Sequence, residues 1–116
     1  MASQSLRVLG IDPGLRLTGY GVVELAAGQL EPTLVEAGII KLDAKLGIEK
    51  RLVQLHRDLL QVIDELSPTH VGVEKLYAHY AHPRTAILMA HARGVILLAS
   101  SQRQLQLENL PATEVK

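Results

Sequence analysis

Two carboxylates stand at places where a structural residue would more often be apolar. Asp12 follows the apolar run 6–11 (LRVLGI), and Glu74 closes the run 69–74 (THVGVE). Both runs read as short strands of a covered sheet. A carboxylate at such a tip must be hydrated, paired or bound to a metal, because leaving it dry and alone costs several kcal/mol. Two of them on adjacent strands repel unless a cation lies between. Hard divalent cations such as Mg²⁺ take oxygen ligands of this kind. Two such ions roughly 3.5–4 Å apart can hold both the attacking and the leaving oxygen of a phosphodiester. Pro13 and Gly14 then have a purpose, fixing the direction of Asp12 and keeping side-chain bulk away from a substrate. The plainer alternative is that Asp12 caps its own turn and Glu74 is merely exposed at a strand end.

The elements that must position these residues follow from periodicity. After the Pro-Gly turn, 17–25 (LTGYGVVEL) reads as a second strand whose Gly19 and Gly21 share one face and leave room for a close approach. A turn at 26–29 leads to a third strand over 33–42, completing an antiparallel meander. Over 47–66 the period changes: Ile48, Leu52, Leu55, Leu59, Val62, Ile63 and Leu66 recur at three- and four-residue steps, which predicts an amphipathic helix. Ser67-Pro68 stops it. A fourth strand over 69–74 and a loop precede Pro83, placed where a helix begins. The helix over 84–101 is apolar nearly all round, as expected if the sheet covers one side and a partner surface another. Residues 104–110 are a candidate fifth strand. Three strands in series, then helix, strand and helix, predict one α/β domain over 1–116 with a mixed sheet. A helical crossover lets the fourth strand lie parallel to the first. Asp12 and Glu74 then share the carboxyl edge, where sites form in such sheets.

Composition sets the outer limits. The chain has no Cys, which excludes disulfides and thiolate metal sites. It opens with no charged-then-apolar leader, and no apolar run approaches the roughly 20 residues that span a bilayer. A cytoplasmic domain with no membrane partner is the expectation. Net charge is zero, but residues 1–74 hold seven Lys/Arg against ten Asp/Glu, and 75–116 hold five against two. Carboxylates that gather cations would thus sit beside a surface that meets phosphates; ordinary scatter is the competing account. Lys41, Lys45, Lys50 and Arg51 read as a solvated face, and His91 as a hydrogen-bonded core or interface residue.

IDPGLRLTGYGVV, then VEKLY, then TAILMAHARGVILLA, resemble in order and spacing the RuvC family of Holliday junction resolvases. The resemblance implies an RNase H-like fold and a Mg²⁺-dependent endonuclease, with Mn²⁺ as a substitute ion, that cuts four-way DNA junctions as a homodimer. It also implies a role in recombination and repair, beside a branch-migration helicase complex. By the same resemblance, Asp12 and Glu74 are two metal-binding catalytic carboxylates. Tyr77 falls where the family stacks an aromatic on a base at the crossover, and Lys116 falls on a V-K motif that contacts DNA. With Tyr77 and Lys116, Arg84 completes the candidate DNA-binding set.

Two departures accompany the resemblance. The family's other two acids lie on a C-terminal helix, in a D-x-x-D-A pattern that these residues lack, so the 116-residue chain is expected to cut poorly or not at all. The loop LYAHYAHP is about one residue longer than usual and carries His79 and His82 where a Lys-Asn pair is common. Two other functions fit in outline. A dimer could hold branched DNA without cutting it. A nucleotide-binding half-domain of the actin and sugar-kinase type would also open with a strand, an Asp-x-Gly turn and a hairpin, but it needs a second half that this length does not supply.

Overall fold

A computed structural model describes residues 5–74 and 82–110. Seven elements follow in the order β1 (Leu6–Asp12), β2 (Leu17–Leu25), β3 (Thr33–Lys41), α1 (Ile48–Leu66), β4 (His70–Glu74), α2 (Pro83–Gln102) and β5 (Gln106–Leu110). They form one mixed sheet in the order β3-β2-β1-β4-β5. The first three strands are an antiparallel meander, and β4 and β5 run parallel to β1. The fold is thus the expected RNase H-like α/β arrangement, with element ends displaced by a residue or two.

The chain's local chemistry explains the boundaries. Ser67 takes a left-handed conformation (φ 49°), and its N–H closes α1 on the Ile63 carbonyl at 2.8 Å. Pro68 next to it cannot continue the helix. Pro83 supplies the first residue of α2, where its missing N–H has no helical partner to lose. Arg7 then ties the start of β1 to the end of α1. Its Nη1 donates to the Leu66 carbonyl at 2.7 Å, while Nε and Nη2 both reach Glu24 Oε2, at 3.1 and 2.9 Å.

The core lies between the sheet and the two helices. Leu9 and Ile11 of β1, Val22 of β2, Val71 and Val73 of β4 pack with Leu55, Leu59 and Ile63 of α1 and with Ala92, Ile96 and Ala99 of α2. Because side chains alternate across a strand, Val8, Gly10 and Asp12 face the other way. No helix among the described residues lies over that second face. Val8 and Gly10 are half-buried there, and Leu17 and Ile39 are exposed, so among the described residues helices cover one face of the sheet where the apolar run 6–11 had suggested cover on both. The α2 helix buries Ala92, Ile96, Ala99 and Ser100 on one side and leaves Ile87, His91, Gly94 and Leu98 exposed on another. His91 is therefore a surface residue of this chain.

Candidate nuclease site at the carboxyl edge

The site is built on the paired ends of β1 and β4. Their parallel ladder runs from Val8 opposite His70 to Ile11 opposite Val73. Both strands continue one residue further, to Asp12 and Glu74. Adjacent strands lie about 4.8 Å apart, so the two positions are neighbours on one edge of the sheet. Asp12 is exposed and pairs with no cation among the described residues. The backbone of Glu74 pairs with Leu110 of β5, and its side chain lies outside the described residues.

The turn after Asp12 is held from three directions. From within, the buried Thr18 hydroxyl accepts the Gly14 N–H at 3.3 Å and donates to the Gly14 carbonyl at 3.2 Å. From the β3 side, the Leu42 N–H donates to the Arg16 carbonyl at 2.8 Å. From α1, Arg51 Nη1 donates to the Leu15 carbonyl at 3.2 Å. Arg51 is thus bonded to backbone, which corrects its reading as part of a solvated face. Opposite Asp12 stands Gly19, and a Cβ placed there would lie 4.0 Å from the Asp12 Cβ, so the glycine adds no bulk beside the carboxylate. Thr18 lies on the buried, helix-covered face and shapes the turn from behind. Arg16 and Lys41 line an open cleft of ≈ 440 Å³ alongside.

Arg84 is exposed in the first turn of α2. Tyr77 and Lys116, like His79, fall outside the described residues; His82 is the exposed residue that precedes α2. In donor chemistry the edge suits a hard divalent cation, since position 12 offers an unpaired, solvent-facing carboxylate and position 74 a second acid beside it. No group of three or more His, Asp or Glu side chains able to hold a metal forms among the described residues. None of the described helices is long and apolar enough to cross a membrane.

The family model for the crossover junction endodeoxyribonuclease RuvC matches residues 8–116. The chain belongs to the RuvC family. RuvC of Rhodopirellula baltica is 42% identical over 109 residues, which cover 94% of this chain and 60% of that protein. RuvC of Hydrogenovibrio crunogenus is 35% identical over 114 residues, 98% of this chain and 64% of the relative. The chain therefore spans less than two thirds of the length of these two RuvC proteins. The Thermus thermophilus RuvC solved in complex with a Holliday junction substrate superposes with a TM-score of 0.83 at 25% identity, over 96% of this chain and 68% of that one. The yeast mitochondrial Holliday junction resolvase Ydc2 shares the fold, with a TM-score of 0.66 at 15% identity over 96% of this chain and 52% of its own.

Sequence reasoning reached Asp12 and Glu74 because each interrupts an apolar strand pattern. It placed Thr18 and Gly19 across from Asp12 as residues that shape the pocket, and it took Arg51 for part of a solvated face. The signal for Thr18 was present, a hydroxyl four residues after a turn glycine. Arg51 carried none, since a cation in the first turn of an amphipathic helix looks like any solvated residue.

Proposed function

We propose that this RuvC-family chain is the core of a Mg²⁺-dependent endonuclease that resolves four-way DNA junctions as a homodimer. The observation that carries the reading is the parallel pairing of β1 with β4, which makes Asp12 and Glu74 neighbours at the carboxyl edge. Asp12 and Glu74 are the residues that would hold the Mg²⁺ ion, or Mn²⁺ in its place. A divalent ion held by Asp12 and Glu74 would supply Lewis-acid chemistry for phosphodiester hydrolysis, making a water more acidic and neutralising negative charge on the leaving oxygen.

The protein's own residues do the rest. Asp12, aimed by its turn, and Glu74 supply negative oxygens. Gly19 leaves the space in front of Asp12 open to a phosphodiester. Tyr77 stacks on a splayed base at the crossover, an interaction worth roughly 1–3 kcal/mol per base. Arg84 and Lys116 contact phosphates. The second copy docks on the exposed α2 stripe of Ile87, Gly94 and Leu98, giving two sites for two symmetric cuts. A branch-migration helicase complex acts on the same junction in recombination and repair in the cytoplasm.

The experiment pairs a gel shift in Ca²⁺ with a cleavage assay in Mg²⁺ on a mobile four-way junction. The 116-residue chain, with two of the four acids that the family resemblance implies, shifts the junction and cuts it poorly or not at all. In a chain extended through a D-x-x-D-A helix, cutting appears, and Asp12→Asn abolishes it while the Ca²⁺ shift stays. Cutting by Asp12→Asn at the parental rate refutes the assignment.

A further inference from the structure

Arg51 is the fourth residue of α1, and the structure gives it a task that its surroundings in the sequence do not suggest. Its Nε donates to the Leu46 carbonyl at 3.0 Å, and its Nη1 reaches 36 residues back in the chain to the Leu15 carbonyl at 3.2 Å. One half-buried guanidinium thus clasps two separate backbone segments: the loop that leads into α1 and the turn that carries Asp12. We propose that Arg51 is a positioning residue for Asp12, holding the 13–16 turn against the start of α1 so that the carboxylate keeps its aim. This role rests on the reading of Asp12 as a ligand of a divalent cation.

The other two holds on the turn come from the sheet. Thr18 bonds it within β2 and Leu42 from just past the end of β3, so neither joins it to a helix. The sheet's edge strand, β3, carries exposed Leu34 and Ile39, with Ile40 and the following Leu42 buried. Helix α1 is seated in the same core through Leu55, Leu59 and Ile63. A bond from that helix ties the turn to the packed second layer of the molecule, whereas short loops with few packed contacts open locally on their own. The chemistry suits arginine in particular. A guanidinium presents its N–H donors in a rigid planar fork and can serve two carbonyls at fixed angles, while a lysine ammonium is a point donor on a flexible stem.

The test uses the ¹⁵N-labelled 116-residue chain and its Arg51→Lys and Arg51→Gln variants, titrated with MnCl₂ and followed by paramagnetic broadening of amide signals. Amide hydrogen exchange on the same samples reports the turn without metal. Both variants are expected to need about tenfold more Mn²⁺ to broaden the signals of Ile11, Asp12 and Gly14, the loss usual when a supporting partner of a metal ligand is removed. Exchange at Gly14 rises in parallel, while exchange at Leu9 and Val71 stays parental. The role is overturned if both variants titrate at the parental Mn²⁺ concentration with parental exchange at Gly14. It is also overturned if protection at Leu9 and Val71 falls together with that at Gly14, because Arg51 is then a general structural residue. Asp12→Asn separates the two claims. If it broadens like the parent, or if the parent takes up no Mn²⁺, the cation reading fails and the Arg51 role with it. If Asp12→Asn loses the broadening while Arg51→Lys and Arg51→Gln keep it, only the Arg51 role fails.

Discussion

Gly14→Ala is the sharpest probe of how Asp12 is held. A Cβ built on Gly14 overlaps the Leu17 carbonyl oxygen and stands 3.1 Å from its carbonyl carbon. Both atoms belong to the backbone where β2 begins, so no side chain can swing aside, and the turn itself must move. Forcing a methyl into a space of this kind costs about 1–3 kcal/mol. Movement of the turn also strains the paired Thr18 bonds to Gly14, at 3.3 and 3.2 Å. Unfolding entropy is roughly 2.1 cal/mol/K per residue, or about 0.24 kcal/mol/K for 116 residues. A loss of about 2 kcal/mol therefore lowers Tm by about 8 °C. Gly10→Ala is the control, because its Cβ meets only the Gly21 carbonyl oxygen at an ordinary 3.8 Å. Circular dichroism melts of the three chains, at equal concentration and without metal, measure the difference. A Gly14→Ala chain melting within about 1 °C of the parent would refute the reasoning, since the turn would then be free to shift.

Further outcomes follow from other contacts. The Tyr20 phenol donates to Glu36 Oε2 at 2.8 Å, and this hydrogen bond, then burial and the Glu36 and Glu65 charges, raise its pKa above 10.0. The bond favours the fold below pH 10 and is lost as pH rises through the higher folded-state value; spectrophotometric titration should show a late phase from Tyr20 that Glu36→Gln moves earlier. Arg7→Ala frees Glu24 and leaves the Leu66 carbonyl without its donor, which should cost about 1–3 kcal/mol in a urea melt; an unchanged midpoint would mean that water replaces both partners. Leu98→Glu, on the exposed stripe of α2, should convert a dimer into a monomer in sedimentation at micromolar concentration, and a monomeric parent would count against the docking of a second copy there.

Much of this protein is legible in one dimension. The alternating and near-continuous apolar runs, the three- and four-residue steps of α1, Ser67-Pro68 and Pro83 are local signals, and local signals place elements to within a residue or two. Asp12 and Glu74 are legible for the same reason, as polar interruptions at the ends of apolar strands, and the family motifs around them are contiguous. What is not local stayed hidden. Only the packed fold decided that both helices cover the same face, leaving Val8 and Gly10 half-buried and Ile39 exposed on the other. Only it showed that Tyr20 lies over Gly38, where a Cβ would come within 2.7 Å of the ring carbon bearing the hydroxyl, and bonds to Glu36. Arg51 makes the difference plainest. Its place in an amphipathic helix follows from its neighbours, but its bond to Leu15 joins residues 36 apart. Such a bond depends on how a helix sits against a turn, and that is set by the summed burial of Leu55, Leu59 and Ile63 against the sheet, not by any short stretch of residues.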